Sequence, residues 1–253
     1  MNIVVCGYGR AGTALMREII VSKKDNLVGV LCRDESASAG CDIGKFVKDD
    51  GAIYGLTISK ISDAKDALRD KKVDVIVDFS NRTMAQPLLN LCSEIHCNLV
   101  VCTTNHTPEE IGCFGQIAEQ QEIGVVYAPN LTIGINLLLD FTKKLSNVLD
   151  DFQYEIIERH PTNKPIPTAT SRIIAETINK EKIPIHSMRM EGYVGVHELV
   201  ATDGVERITI RHESLSRAAF AKGALIAAKF VKGKTGLFFM KDVIKELNVE
   251  KDG

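Results

Sequence analysis

The first half of the chain alternates short runs of consecutive apolar residues with stretches in which apolar residues recur every three or four positions. Runs of the first kind are typical of buried strands, and stretches of the second kind are typical of amphipathic helices. The predicted strands are Asn2–Cys6, Leu27–Leu31, Val73–Phe79, Leu99–Thr103 and Ile123–Ala128, and the predicted helices are Thr13–Val21, Met84–Ser93 and Pro108–Gln121. This alternation indicates a parallel sheet with right-handed crossover connections.

The pattern changes after Asn130, where a long amphipathic helix is predicted over Gly134–Leu149. The strands predicted beyond it are Gln153–Arg159, Ile185–Val194 and Val205–Glu213, and the helices are Ser171–Lys180, Arg217–Val231 and Met240–Leu247. Residues 205–213 show the period of two that is typical of a strand in an antiparallel or mixed sheet. We therefore expect an α/β domain, then a smaller α+β domain, and a helical return at the C-terminus.

Composition and charge exclude several classes of protein. The 253 residues carry a formal net charge of −2, so neither nucleic acid nor an anionic membrane surface is an expected partner. The apolar runs are too short to cross a bilayer, and no signal-peptide pattern precedes the first strand, so a cytoplasmic protein is expected. The seven cysteines include no Cys-x-x-Cys pair, and we expect neither a disulfide framework nor a metal site.

A glycine-rich hexapeptide follows the first predicted strand and opens a predicted helix. The hexapeptide is Gly7-Tyr8-Gly9-Arg10-Ala11-Gly12, which reads G-x-G-x-x-G. In this pattern the glycines permit a tight turn, the approach of a pyrophosphate and close packing of the helix on the strand. The helix N-terminus offers N–H groups to the phosphates. We predict binding of NAD or NADP; the alternative is a tight turn that needs small residues only for packing.

The end of the second predicted strand bears on the choice between the two dinucleotides. An acidic residue there would bind the ribose 2′-hydroxyl of NAD and repel the 2′-phosphate of NADP. Cys32 occupies the expected position of that acid, and Arg33 follows it. Because a guanidinium pairs well with phosphate, we expect NADPH to be preferred, with dual use still open. The alternative is that Arg33 is an ordinary surface charge.

The candidate catalytic residues are His160 and Lys164, in the segment that follows the strand predicted over Gln153–Arg159. Pro161 and Pro165 prevent a simple helix here, but a loop can bring both side chains to one side. A protonated lysine can deliver a proton, and a histidine can stabilise developing negative charge. The alternative is a polar loop that merely leads into a capped helix.

A second anion-binding position is predicted at the start of that helix. Thr168 or Thr170 is a good N-cap, and the N–H groups of the first helical turn attract negative charge. One anion position for the phosphates of a cofactor and one for a small acid are together typical of a reductase.

Several segments together resemble the dihydrodipicolinate reductase family of diaminopimelate and lysine synthesis. In chain order these segments are Gly9–Gly12, Asp78–Ser80, Cys102–Asn105, Ala128–Gly134, Glu158–Lys164 and a C-terminal run from His212 through Ser216-Arg217 and Phe220–Ala224 to Gly236 and Asp242-Val243. The resemblance runs nearly end to end and keeps the order of the family's motifs, which makes it specific.

The resemblance implies a fold, an assembly and a reaction. The fold is a Rossmann-like parallel-sheet domain of residues 1–129 and 217–253, with a substrate-binding and tetramerisation domain of residues 130–216. The strands at Ile185–Val194 and Val205–Glu213 are expected to form the intersubunit sheet of a homotetramer. The reaction is hydride transfer from NADPH or NADH to 4-hydroxy-tetrahydrodipicolinate, which is a small cyclic dicarboxylate.

The resemblance also implies roles for individual residues. Lys164 is the expected proton donor, and His160 is expected to stabilise charge. The residues implied at the cofactor are Gly7, Tyr8, Gly9, Arg10, Ala11, Gly12, Arg33, Phe79, Ser80, Thr103, Thr104, Asn105, Ala128, Pro129, Asn130 and Arg217. The residues implied at the substrate carboxylate are Thr168, Ala169 and Thr170.

Three positions depart from the family pattern. Pro161 replaces a histidine that contacts the substrate carboxylate, Ala169 replaces a glycine beside that carboxylate, and Asn105 replaces a glycine near the nicotinamide. If position 169 requires a positive φ, alanine is disfavoured there. Two alternatives therefore stay open: a paralogous NAD(P)-dependent oxidoreductase for another small imine or amino acid, and a cofactor-binding protein without turnover. The retention of His160 and Lys164 argues against the second.

Overall fold

The computed structural model of the protein describes residues 1–47, 52–178 and 180–249. Over these ranges the chain divides into two compact units, Met1–Leu131 with Phe220–Gly253 and Thr132–Ala219. The expected domain boundaries at 129 and 216 lie two and three residues before the observed ones at 131 and 219. Among the helices described, each is too short or too polar to cross a membrane.

The described residues form the following elements. The strands are β1 (Asn2–Cys6), β2 (Asn26–Cys32), β3 (Ile58–Lys60), β4 (Val75–Asp78), β5 (Asn98–Val101), β6 (Gly124–Tyr127), β7 (Gln153–His160), β8 (Ile185–Arg189), β9 (Gly195–Thr202), β10 (Arg207–Ser214) and β11 (Gly236–Phe239). The helices are α1 (Arg10–Ser22), α2 (Gly44–Val47), α3 (Ala64–Ala67), α4 (Ala85–Ile95), α5 (Pro108–Gln120), α6 (Ile133–Val148), α7 (Ala169–Thr177), α8 (Ala218–Val231) and α9 (Met240–Val249), with a 3₁₀ turn at Arg82–Met84.

The first unit is built on a parallel sheet that, within the described chain, has the strand order β11, β6, β5, β4, β1, β2, β3. Strands β4 and β6 are buried along their whole length, and β1 and β5 are buried except at their first residue. Such burial requires cover on both faces of the sheet. The strand order reverses between β1 and β4, and the carboxyl ends of strands at such a point form the ligand-binding crevice of open α/β sheets. The expected Rossmann-like fold is confirmed.

The second unit is built on a mixed sheet whose described strands lie in the order β10, β9, β7, β8. Strand β7 is antiparallel to β9 and parallel to β8. Along β7, Tyr154 and Ile156 are buried and Glu155 between them is exposed, because only one face of the sheet is covered. On that inner face Leu138 of α6, Ile174 of α7 and Leu199 of β9 belong to the same apolar core. The smaller α+β domain is therefore present as expected.

One strand prediction in the second unit is wrong. The strand predicted over Ile185–Val194 ends at Arg189, and the chain turns at Gly192, which has a φ of +94°. The next strand, β9, was not predicted, because Gly195 and a buried histidine interrupt its apolar pattern. The short strands β3 and β11 were also missed.

The two strands that were expected to form an intersubunit sheet are not neighbours. Strands β8 and β10 lie at opposite edges of the described sheet, with β7 and β9 between them. The strand predicted over Val205–Glu213 also begins too early, because β10 starts at Arg207. Val205 lies in the turn before β10, where its N–H donates to Asp203 Oδ1 at 2.8 Å.

Candidate functional site

The glycine turn between β1 and α1 has the geometry that its sequence predicts. Gly7 has a φ of +89°, and a Cβ at this position would lie 2.8 Å from the backbone of Phe79. A Cβ at Gly12 would lie 1.9 Å from the carbonyl oxygen of Gly7, so only glycine lets the helix pack this close to the turn. A Cβ at Gly9, the N-cap of α1, would meet no described atom within 4 Å. Space therefore lies open in front of the helix N-terminus.

The other predicted cofactor residues of the first unit follow the carboxyl ends of neighbouring strands. Phe79 and Ser80 follow β4, the segment 103–105 lies just beyond β5, and the segment 128–130 follows β6. Because parallel strands end at a common edge of the sheet, the fold brings these segments to the edge that carries the glycine turn. Asn105 has a φ of +67°, a conformation that asparagine tolerates better than most residues. Arg217 belongs to the second unit.

A buried carboxylate lies at this edge of the sheet. Asp78, the last residue of β4, is fully buried, and its Oδ1 accepts from the N–H of Ser80 at 2.9 Å and from the Ser80 hydroxyl. Burial raises the pKa of Asp78 to about 6, although the hydrogen bonds from Ser80 and Thr103 oppose the rise. The Thr103 hydroxyl also contacts His106 Nε2 at 2.8 Å. These contacts fix the positions of Ser80 and Thr103, two of the predicted cofactor residues.

The end of β2 presents a free positive charge. Arg33 is exposed, and its guanidinium makes no hydrogen bond or ion pair with the residues that the structure describes. The nearest acid in sequence, Asp34, is engaged by the backbone, because its Oδ1 accepts from the N–H of Ser62 at 3.0 Å. Tyr8 is held beside this strand end by its hydroxyl contact with Ser36 Oγ at 2.5 Å. The structure therefore offers an unpaired guanidinium at the strand end that discriminates NADP from NAD, while the neighbouring Asp34 accepts from the backbone of Ser62.

In the second unit, the ionised side chain of Glu158 organises the candidate catalytic segment. This carboxylate on β7 is fully buried. Its Oε1 accepts from Ser187 Oγ at 2.6 Å and from Arg189 Nη2 at 2.7 Å, and its Oε2 accepts from Ser171 Oγ at 2.5 Å and from the Thr168 hydroxyl. Burial by itself would raise the pKa of Glu158, but these hydrogen bonds together lower it to about 2. The carboxylate therefore stays charged and joins β7, β8 and α7.

Arg189 connects this carboxylate to the loop that carries Lys164. Its Nε donates to the carbonyl oxygen of Lys164 at 3.1 Å, and its Nη2 also donates to the carbonyl oxygen of Pro165. The N–H of Lys164 donates back to the carbonyl oxygen of Pro161 at 3.2 Å, which closes a turn. The backbone of the loop is thus fixed, while the Lys164 side chain is exposed.

The predicted substrate residues lie at the N-terminus of α7. Thr168 caps this helix, and both its N–H and its hydroxyl donate to Glu158, so its polar groups are already engaged. Ala169 is the first residue of the helix and does not have a positive φ. The conformational objection to alanine at this position therefore does not hold. Ala169 is exposed and Thr170 is half-buried.

His160 lies against a second buried imidazole. Its Nε2 is 3.2 Å from Nε2 of His197, which is the partner of Glu158 across the β7–β9 pair. Burial and the neighbouring His160 lower the pKa of His197 to about 3. Burial also lowers the pKa of His160, although the charge of Glu158 raises it in part. Both rings are therefore neutral at physiological pH.

The same groups have the spacing of a metal site. Ligand atoms of Glu158, His160 and His197 lie within 4.8 Å of one another. The donor set does not fit a cation well, because Arg189 already places its positive charge 2.7 Å from Oε1 of Glu158. The other carboxylate oxygen accepts from Ser171 and from the Thr168 hydroxyl. We therefore treat the cluster as a hydrogen-bonded network.

Sequence reasoning missed the residues that hold this network. Ser187 and Arg189 lie at alternate positions of β8, and a period of two with polar residues on the inner face is the signal that could have found them. His197 could not be found in this way, since its strand was not predicted. Ser171 was predicted only as the first residue of a helix.

Comparison with known proteins gives consistent matches for both halves of the chain. The family profile described as the N-terminus of dihydrodipicolinate reductase matches residues 1–131, and the profile described as its C-terminus matches residues 134–244. A 4-hydroxy-tetrahydrodipicolinate reductase of Thermosipho africanus is 34% identical over 206 residues, which cover 81% of this chain and 94% of that protein. The enzyme of the same name from Methanopyrus kandleri is 32% identical and covers 96% of each chain.

A solved structure shares the fold. The dipicolinate-bound dihydrodipicolinate reductase from Paenisporosarcina sp. TG-14 has a TM-score of 0.75 to this chain, with 22% sequence identity. The match covers 94% of this chain and 97% of that one.

The buried His197 should make folding stability depend on pH. Its pKa of about 3 in the folded protein lies below the value of 6.5 expected in the unfolded chain. The unfolded chain therefore binds the extra proton first, and stability is lost as pH falls from about 6.5 towards 3. At pH 5 the free energy of unfolding is lower than at neutral pH by about 2 kcal/mol from this group.

Between pH 7 and pH 5, we expect the free energy of unfolding of His197→Gln to fall by about 2 kcal/mol less than that of the unaltered protein. Urea unfolding at the two pH values measures this difference. The control is His186→Gln, which removes an exposed imidazole of β8 and tests whether the change is specific to the buried ring. Equal slopes in the His197→Gln variant and the unaltered protein would contradict the prediction.

Proposed function

Because this chain belongs to the dihydrodipicolinate reductase family, we propose that it reduces 4-hydroxy-tetrahydrodipicolinate to tetrahydrodipicolinate in diaminopimelate and lysine synthesis. It is an oxidoreductase that uses NADPH or NADH as reductant. The observation that carries the proposal is that both halves of the chain match the family, while Arg189 links the Glu158 carboxylate to the backbone of Lys164.

The carboxyl edge of the first sheet fits a nicotinamide dinucleotide, which supplies the hydride when it is bound. The open space at Gly9 and the N-terminus of α1 would hold the pyrophosphate. Ser80 and Thr103, whose positions the buried Asp78 fixes, would line the same cleft. Arg33 would pair with a 2′-phosphate.

Lys164 is the residue that we propose as proton donor. Loss of the 4-hydroxyl as water leaves an unsaturated ring. Addition of a hydride to this ring leaves negative charge that a proton must neutralise, and an exposed ammonium on a fixed loop can deliver that proton. His160 is neutral and buried, so it can donate a hydrogen bond to the same charge but does not compete as an acid.

The start of α7 is the proposed site for a substrate carboxylate. The N–H groups of Ala169 and Thr170 lie in the first turn of a nine-residue helix, where the helix dipole attracts an anion. The similar structure from Paenisporosarcina holds dipicolinate, a planar dicarboxylate, which supports a dicarboxylate as the ligand class. The departure at Ala169 brings no backbone strain, so it does not favour a different substrate.

The role of Lys164 is tested by Lys164→Ala. We expect kcat to fall by about 10²- to 10⁴-fold, because proton delivery is lost, while the KM for NADPH changes little. The measurement is the loss of reduced dinucleotide when substrate is generated by a coupled synthase. Lys143→Ala, at an exposed position of α6, is the control and should retain full turnover.

Three results of that assay would count against the proposal. Full turnover in Lys164→Ala would remove its role as proton donor. Tight binding of NADPH without turnover would remove the reductase activity. Turnover only with other imines would favour a paralogous oxidoreductase.

The preference for NADPH is tested by Arg33→Ala. We expect kcat/KM for NADPH to fall about tenfold, since a charge-assisted contact to the 2′-phosphate is lost, and kcat/KM for NADH to stay unchanged. Arg69→Ala, which removes another exposed guanidinium of the first unit, is the control. If the unaltered enzyme uses NADH as well as NADPH, the preference does not exist.

We also propose a homotetramer that is formed through the outer face of the second sheet. Val200 of the central strand β9 points to this face between Glu155 and Thr209, and β8 and β10 leave their outer edges unpaired within the described chain. Light scattering should give roughly four times the chain mass of 27.8 kDa. Val200→Glu should yield smaller species, while Val21→Glu on the exposed side of α1 should not. A monomer of the unaltered protein would contradict the proposal.

A further inference from the structure

Three imidazoles lie in a row across the inner face of the second sheet. His197 on β9 is the register partner of His212 on β10, and on its other side it is the partner of Glu158 on β7. His160 lies two residues beyond Glu158 on the same face, and it is 94% buried. Among these rings, His160 and His197 make a direct contact, at 3.2 Å between their Nε2 atoms. One nitrogen of the contact must carry the proton and the other must accept it.

The Thr168 hydroxyl decides which nitrogen carries the proton. Its single proton goes to Oε2 of the ionised Glu158, which is its shortest contact. The Thr168 oxygen can then only accept at its remaining contacts, and one of these is Nε2 of His197 at 3.4 Å. His197 must therefore carry its proton on Nε2, where it faces both Thr168 and His160.

The proton on His197 fixes the tautomer of His160. Because Nε2 of His160 accepts this hydrogen bond and the ring is neutral, its own proton must lie on Nδ1. That Nδ1 is buried and has no hydrogen-bond partner among the residues that the structure describes. A buried donor without a partner costs free energy, and a ligand atom that accepts from it would remove the cost. The site therefore contains a buried N–H donor that has no acceptor within the described residues.

Gly195 lets the backbone of β9 approach this ring closely. A Cβ at position 195 would lie 3.0 Å from Cε1 and 3.4 Å from Nδ1 of His160, closer than the ring could tolerate without a shift. The backbone of β9 thus lies next to the atoms of His160 that are not engaged with His197.

We propose that Thr168 and His197 are positioning residues that hold His160 as its Nδ1–H tautomer and so aim one N–H donor at the negatively charged group of the substrate. The tautomer follows from the hydrogen bonds alone, whereas the role of the donor rests on the proposed reductase function. A metal ion in place of the proton would have to share Glu158 with the guanidinium of Arg189, which lies 2.7 Å away.

The tautomer can be tested without activity. Magic-angle-spinning NMR of protein that is labelled with [¹⁵N]histidine distinguishes a protonated from an unprotonated nitrogen in each of the six histidines. The His160 signals are identified by their absence in His160→Gln. We expect Nδ1–H in the unaltered protein, a shift towards Nε2–H in His197→Leu and Thr168→Val, and retention of Nδ1–H in His197→Gln, whose amide can still donate.

Several results would overturn the proposal. These are Nε2–H on His160 in the unaltered protein, an unchanged tautomer in His197→Leu, or resonances of either ring that shift when a chelator is added. Circular dichroism and the unfolding midpoint identify a variant that fails to fold, and if His197→Leu fails, Thr168→Val carries the comparison. His186→Leu, at an exposed histidine of β8, is the control for loss of an imidazole.

Steady-state kinetics test the role of the donor. We expect His197→Leu to lower kcat by roughly 10- to 100-fold through misorientation of His160, with the KM for NADPH unchanged and with partial rescue in His197→Gln. Unchanged kcat in His197→Leu, despite an altered tautomer, would overturn the catalytic part. An unaltered protein with the predicted tautomer but without reductase turnover would remove the proposed function and leave the positioning of His160 intact.

Discussion

The buried carboxylate of Glu158 is the group on which the arrangement of the second unit depends. A charge that is removed from water must receive its solvation from the protein, and here the donors are Ser187 and Arg189 of β8 and Ser171 of α7. Loss of one donor would leave part of the charge unsolvated, so each donor is held in a single orientation. The same contacts position the loop that carries Lys164 and the ring of His160.

The two units prepare their ligand sites by different physical means. In the first unit the site is formed by backbone geometry, since Gly7 and Gly12 bring a helix N-terminus close to the ends of parallel strands. Such a surface can accept phosphates through N–H groups without any particular side chain. In the second unit the site is formed by charged and polar side chains around Glu158, which can be specific for a small acid.

The parts of the fold that were predicted well are those whose signal is local. The buried parallel strands read as continuous apolar runs, and the glycine turn lies between a strand and a helix within one short segment. The second sheet was predicted less well, because its strands are covered on one face and carry polar residues inside. Strand β9 contains Gly195 and the buried His197, which break an apolar pattern that would otherwise be recognised. Ser187 and Arg189 alternate along β8 with exposed residues, but polar residues at the inward positions of a strand do not form the apolar pattern from which strands are usually predicted.

The sequence by itself determined the glycine turn of the dinucleotide-binding segment, the resemblance to a family, and the pair His160 and Lys164. Each of these is carried by short motifs whose residues lie close together in the chain. Only the tertiary structure decided which groups act on that pair. Arg189 reaches Glu158 from 31 residues away, and His197 reaches His160 from 37 residues away. These contacts depend on the order and register of strands, and a shift of one residue would turn every such side chain to the opposite face of the sheet. The protonation of His160 is therefore a property of the folded sheet.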